Sequence, residues 1–231
     1  AIAFAALNAE GQASYSFYKD YPGTLFEGMV FPKFDADSCF SFGSMAALED
    51  QWQPALEHLL KLTKNAGSLV FYDPNIRSGL KDEMAESRLL RNMRSASIIR
   101  GSDEDFITVF ETADPALIAE KAGLRDTQLL VVTRGDKDVI TYFKKAKTAY
   151  PVPALKPLST IGAGDAFNSG ILSFAELMQL KANTMHSLVD DIISVMVGVG
   201  VSFAADVCKN TGNTISAEIA DRLNSVRGGF S

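Results

Sequence analysis

The chain reads as an α/β layered domain built around a mostly parallel sheet, and two observations predict this. Short apolar runs of strand length alternate with amphipathic helical stretches, the order expected of a layered α/β domain. Polar clusters also stand directly after three of those runs: Asp73-Pro74-Asn75-Ile76-Arg77, Arg100-Gly101-Ser102-Asp103-Glu104-Asp105 and Thr133-Arg134-Gly135-Asp136. Ligands in such sheets bind outside the carboxyl ends of the strands, so these clusters stand where a ligand would meet them. Each one alone could equally be an ordinary strand-to-helix turn, and Asp103 to Asp105 an acidic helix start.

The elements follow in order. Ile2, Phe4 and Ala6 alternate with small or polar residues, Ala13, Tyr15 and Phe17 repeat the rhythm, and Asn8-Ala9-Glu10-Gly11-Gln12 supplies a turn. This predicts a hairpin with one apolar stripe through Phe4, Ala6, Tyr15 and Phe17. Such a hairpin is marginal alone and leaves a sheet edge open for pairing. Beyond Pro32, a strand is predicted at 38–42, ending at Gly43-Ser44, then a helix at 54–62 with Leu56, Leu59 and Leu60 on one face. A buried strand at 68–72, a helix at 83–93, a short strand at 96–99 and a helix at 115–122 come next. Residues 129–133 form the clearest strand, and 139–143 follow it across the Gly135-Asp136 turn. Two long helices, about 165–180 and 186–208, close the core.

Bulk properties narrow the function. With 231 residues, 47% of them hydrophobic, the chain can bury a substantial core. A formal charge of −6 argues against nucleic acid as the main partner. Lys144, Lys145 and Lys147 read as a solvated loop face. No run approaches a membrane span and no signal peptide opens the chain, which predicts a cytoplasmic protein without a membrane partner. Cys39 and Cys208 lie far apart and read as reduced thiols. His58 and His186 make no zinc signature. Ala1 opens in mid-pattern without a methionine, which hints at a missing N-terminal portion.

The most informative stretch is Ser159-Thr160-Ile161-Gly162-Ala163-Gly164-Asp165-Ala166-Phe167. Small residues run into an aspartate, and Phe167, Ile171, Phe174, Ala175 and Met178 then recur at helical spacing. Backbone amides converging at a helix N-terminus make a phosphate site. A carboxylate at the same point could take a proton from an attacking hydroxyl. Two plainer readings compete. A dinucleotide turn fails because Phe167 stands at the third glycine of G-x-G-x-x-G, whereas a simple helix entry with Asp165 near the N-cap stays open. No Walker phosphate loop occurs in the chain.

Together these residues resemble the ribokinase-like pfkB family of sugar kinases. The cradle is similar to D-T-x-G-A-G-D, with Ser159 for the first aspartate, and Ala166-Phe167-Asn168-Ser169-Gly170 continues the likeness. Asp73-Pro74-Asn75-Ile76-Arg77 resembles D-x-N-x-R, Val131-Val132-Thr133-Arg134-Gly135 resembles V-T-x-G, and Ser102-Asp103-Glu104-Asp105 stands for N-x-x-E. The resemblance implies a ribokinase-like three-layer sandwich and Mg²⁺- and ATP-dependent phosphoryl transfer to a sugar hydroxyl. Asp165 would then be the base, and the amides of Gly162, Ala163 and Gly164 would stabilise the transferring phosphoryl group. Thr133 and Gly135 would line the nucleotide pocket together with Gly162 and Gly164. Asn75 and Arg77 would approach substrate or phosphates, and Asp105 would reach the metal through water.

Departures from the pattern carry their own expectations. Ser159 puts activation by a monovalent cation in doubt, Ser102 and Asp105 weaken the metal side, and Asp138 stands where a second glycine often lies. The family's opening third, with its G-G-x-x-x-N sugar-binding segment, is absent. Residues 1–30 would then be the remnant of a β lid, residues 31–231 the nucleotide- and sugar-binding core, and the protein a homodimer through the lid. The implied activity is fructokinase-like. The alternatives are a 2-keto-3-deoxygluconate or ribose kinase, or a non-catalytic nucleotide- or sugar-binding relative.

Overall fold

The computed structural model describes residues 2–7, 13–18, 28–76, 79–212 and 214–229. They group into two compact units: residues 31–152 with 178–194, and residues 1–30 with 153–177 and 195–231. The first contains a six-stranded sheet, β3 (Cys39–Gly43), β4 (Leu69–Asp73), β5 (Ile98–Ser102), β6 (Leu129–Thr133), β7 (Asp138–Phe143) and β8 (Ala146–Pro151), in that spatial order. Strands β3 to β6 pair in parallel and β6 to β8 antiparallel. The connections carry α1 (Gln53–Ala66), α2 (Glu83–Ser95), α3 (Asp103–Phe110) and α4 (Pro115–Ala122).

Strands β4 and β6 are apolar because both faces are buried, as parallel strands in a layered fold require. Val70, Tyr72, Ile99, Leu130 and Val132 share a core with Leu89 and Met93 of α2, Phe106 and Phe110 of α3, and Ile118 and Ala122 of α4. The helix starts are the ones the sequence encodes. Asp82 accepts from the Ala85 amide at 2.8 Å, and Asp114 accepts from Ala116 at 2.9 Å with Pro115 in the first turn. Buried Gln128 joins α2 to β6. Its amide donates to Ala96 O at 2.6 Å and Met93 O at 2.9 Å, and its oxygen accepts from the Arg125 amide at 2.8 Å.

Two expectations change in this unit. The strand predicted at 96–99 begins at Ile98 and runs on through Arg100 to Ser102. A charged residue can stand inside it because side chains on both neighbouring strands receive its guanidinium. Lys147, read as part of a solvated loop face, lies in β8 (146–151), whose alternating exposure is that of an edge strand with lysine on its exposed face. Lys147 there pairs with Asp114 at 2.8 Å.

The second unit holds the hairpin β1 (Ile2–Leu7) and β2 (Ala13–Tyr18), helix α5 (Ala163–Leu177), most of α6 (Asp190–Cys208) and α7 (Ala217–Gly229). Helices α5 and α6 cross at glycine. A Cβ on Gly170 would lie 2.8 Å from the Gly200 Cα, and one on Gly200 would lie 2.9 Å from the Phe167 ring. Ala166, Phe203 and Val207 pack there with Ile215, Ile219 and Leu223.

The hairpin corrects the predicted stripe. Phe4 pairs with Ser16 and Ala6 with Ser14, whereas Ala5 pairs with Tyr15 and Ala3 with Phe17. Directly opposite residues share a face, so Phe4 and Ala6 lie on one face and Tyr15 and Phe17 on the other. The five-residue connection sets this parity by pairing even positions with even ones. A second correction concerns α6, which by length and composition alone is apolar enough to cross a membrane. Phe203 and Val207 pack in the core of this unit, as in a buried core helix.

Candidate functional site

At the start of α5 the chain turns tightly before the helix begins. The Ile161 amide donates to Ser159 Oγ at 3.2 Å, and the Ala163 amide donates to Thr160 O at 3.2 Å. Gly162 takes φ 80°, a left-handed conformation glycine adopts without a Cβ penalty. The Ala166 amide then donates to Gly162 O at 2.8 Å and opens the helical ladder. The helix therefore starts at Ala163, two residues before Asp165. The Asp165 side chain is exposed in the first turn, where amides lack intrahelical acceptors and the helix end is electropositive. Of the predicted cradle amides, that of Ala163 is engaged in the turn. Gly164 lies within the first turn of the helix. Gly170, part of the same signature, serves the helix crossing.

The other candidate residues gather at the carboxyl ends of β3 to β6. Strands β3 and β4 end in close contact. The Ser44 amide donates to Asp73 O at 2.9 Å, and a Cβ on Gly43 would fall 1.9 Å from that oxygen. Asp73 Oδ1 accepts from the Asn75 amide at 3.2 Å, which holds Asn75 at φ 43°. Asp73 Oδ2 accepts from Arg100 Nη1 at 3.1 Å, and Arg100 Nη2 donates to Thr133 Oγ1 at 2.8 Å. Asp73 and Arg100 are 8% and 9% exposed, so each charge is compensated within the protein. Arg77 lies outside the described residues.

Asp105 closes a capping box at the start of α3. Its Oδ2 accepts from the Ser102 amide at 2.8 Å and from the Ser102 hydroxyl at 2.7 Å, and its own amide donates to Ser102 Oγ at 3.1 Å. The substitutions at 102 and 105 therefore keep a helix start. Among the described residues no three His, Cys, Asp or Glu side chains gather as a group that could hold a metal. Arg134 pairs with Asp138 across the turn from β6 to β7, and Gly135 sits exposed at its tip. Tyr72, fully buried beneath this region, has its phenol pushed far up by burial.

The structure thus joins Asp73, which also holds the Asn75 amide, to Thr133 through Arg100, a residue that carried no assigned role. The signal was present in the sequence as a lone guanidinium inside the apolar run Ile98-Ile99-Arg100. What the sequence could not show is that its partners lie 27 residues before it and 33 after it.

The pfkB family carbohydrate kinase pattern matches residues 31–181. A probable fructokinase-7 of Arabidopsis thaliana is 28% identical over 185 residues, covering 75% of this chain and 53% of that protein. A fructokinase of Rhizobium leguminosarum bv. trifolii is 28% identical over 194 residues, covering 82% of this chain and 59% of that one. The chain therefore spans only 53% to 59% of the length of these curated relatives. Among solved structures, the fructokinase from Vibrio cholerae O395 in its fructose-, ADP- and calcium-bound form matches with a TM-score of 0.74 at 18% identity, over 96% of this chain and 72% of that one. Aminoimidazole riboside kinase from Salmonella enterica, complexed with aminoimidazole riboside and an ATP analog, matches with a TM-score of 0.69 at 18% identity, over 84% and 64%. At these identities the structural likeness establishes the shared ribokinase-like α/β fold.

Proposed function

This chain belongs to the pfkB family of carbohydrate kinases, and on that premise we propose that it is part of an enzyme that transfers the γ-phosphoryl group of ATP to a sugar hydroxyl, with fructose as the first candidate acceptor. The observation that carries this reading is the start of α5, a glycine turn feeding the electropositive end of a helix with an exposed Asp165 in its first turn. Asp165 takes the proton of the attacking hydroxyl. The amides of Gly162 and Gly164 face the negative charge that spreads over the transferring phosphoryl oxygens, while that of Ala163 holds the turn that presents them. Thr133 and Gly135 serve the nucleotide, and Asn75 and Arg77 serve substrate or phosphates. The curated relatives that match are fructokinases, which favours fructose over ribose or 2-keto-3-deoxygluconate.

Mg²⁺ would neutralise charge on the nucleotide phosphates. The capping box commits one oxygen of Asp105 to Ser102, and no carboxylate cluster stands ready among the described residues. Any ion would therefore be held chiefly by the phosphates, with Asp105 reaching it at most through water. Residues 1–30 are proposed as lid and 31–231 as core, in a cytoplasmic homodimer.

The test is a coupled ADP-release assay of the full-length protein with fructose, ribose and 2-keto-3-deoxygluconate, alongside Asp165→Asn. The variant should lose roughly 10²–10⁴ in turnover with ATP affinity kept, the usual contribution of general-base catalysis. Near-normal turnover in a folded variant would remove Asp165 from the chemistry. ATP or sugar binding by the wild type without turnover would favour a non-catalytic relative.

A further inference from the structure

We propose that Arg100 is a positioning residue that locks the Thr133 hydroxyl as a hydrogen-bond donor to a phosphate oxygen of the bound nucleotide. This rests on the kinase reading above and adds a residue and a bond direction to it.

The direction follows from donor and acceptor chemistry. A guanidinium has only donors and stays protonated, so in the 2.8 Å contact Thr133 Oγ1 must be the acceptor. One lone pair of the hydroxyl is thereby occupied, and its proton has to point elsewhere. The protein acceptor recorded for it is Gly101 O at 3.4 Å, well beyond the usual O–H···O distance of about 2.7–2.8 Å. Thr133 is half-buried at the carboxyl end of β6, where a ligand can reach it. With only that long contact among the described residues, the hydroxyl proton is available to an acceptor rich in lone pairs, and a phosphate oxygen is that group in a nucleotide.

Arg100 can do this because Asp73 holds it. The carboxylate takes Nη1 at 3.1 Å and leaves Nη2 aimed at Thr133, while its other oxygen holds the Asn75 amide at 3.2 Å. The guanidinium is 9% exposed and neutralised, so it acts through Thr133 and need not touch the ligand itself. A buried ion pair serving stability alone would be roughly matched by well-packed apolar side chains and would not require an accessible hydroxyl as its third member.

The experiment is calorimetric titration of the full-length protein with ATP and with adenosine, for wild type, Thr133→Val, Arg100→Met, Arg100→Lys and the Arg100→Met/Thr133→Val double variant. Thr133→Val and Arg100→Met should each weaken ATP binding roughly tenfold, the size of one hydrogen bond to a charged group. Adenosine binding should be unchanged, because it offers no phosphate oxygen. The double variant should lose no more than either single variant, and Arg100→Lys should recover part of the loss. If Arg100→Met fails to fold, Arg100→Lys and Thr133→Val carry the comparison. Additive losses, equal losses with adenosine, or an Arg100→Met variant that binds ATP normally while melting earlier would overturn the role of Arg100 and leave the kinase reading standing. A wild type that binds no ATP would instead overturn the kinase reading, and this inference with it.

Discussion

The start of α5 and the carboxyl ends of β4 to β6 are the two polar regions on which the proposed function rests, and they are assembled differently. At α5 the groups are backbone amides and one exposed carboxylate, all within the seven residues 159–165. At the strand ends they are side chains separated by 27 and 33 positions that hydrogen-bond to one another, with Asp73 and Arg100 buried and Thr133 half-buried. The first region exposes its carboxylate and holds its turn with hydrogen bonds local to the chain. The second ties its polar side chains to each other, with Thr133 alone of the three only half-buried. Disturbing the first should therefore cost chemistry, and disturbing the second should cost the fold as well.

The largest effect expected from this contrast is on stability. Asp73→Ala removes the carboxylate that Arg100 Nη1 holds at 3.1 Å, and breaking such a buried pair costs about 3–5 kcal/mol. Asp165→Ala should change stability by only about 0.5 kcal/mol, because the side chain is exposed and interacts mainly with the helix end. Denaturant unfolding of the two variants makes the comparison, and equal losses would break it.

A smaller effect sharpens the geometry of the cradle. Gly162→Ala forces a Cβ into left-handed backbone and should cost roughly 1–2 kcal/mol. Gly164→Ala, inside the first turn of α5, should cost nothing or stabilise slightly. The reverse order, read from unfolding midpoints, would place the turn one register off.

The smallest effect is electrostatic and lies away from both regions. The hydrogen bond from Lys147, together with the amides of Ala116 and Leu117, holds the Asp114 carboxyl below its ordinary value of 3.8. Its folded-state pKa is thus lower than its unfolded one. The contribution is present above the unfolded value and fades as pH falls through the folded one. Asp114→Asn should flatten the loss of stability below about pH 4. The pair is partly exposed and screened, so the difference should shrink in high salt. A wild type and variant with parallel acid profiles would show that the pair adds nothing.

Legibility in the sequence followed the range of the interactions. Helix α4 and strand β6 were bounded to the residue, since caps, proline and an unbroken apolar run act within a few positions. Strand β5 was placed too early because Arg100 reads as a strand terminator until Asp73 and Thr133 are beside it. The start of the edge strand β8 was taken for loop because Lys147 follows Lys144 and Lys145 so closely that the faint alternation is masked. At the site, Asp165 and its glycines were recognisable as a contiguous word. The capping box that occupies Asp105 and the left-handed backbone at Gly162 were not.

The sequence by itself determined the alternation of strands and helices, the glycine-aspartate helix start and the family the chain belongs to, because each is written in neighbouring residues. Only the tertiary structure decided which faces the hairpin residues share, what Asp73, Arg100 and Thr133 do for one another, and which oxygen of Asp105 is already occupied. Those outcomes depend on strand register and on contacts between residues distant in the chain. Local propensity is blind to such contacts because their energy exists only once the sheet has formed.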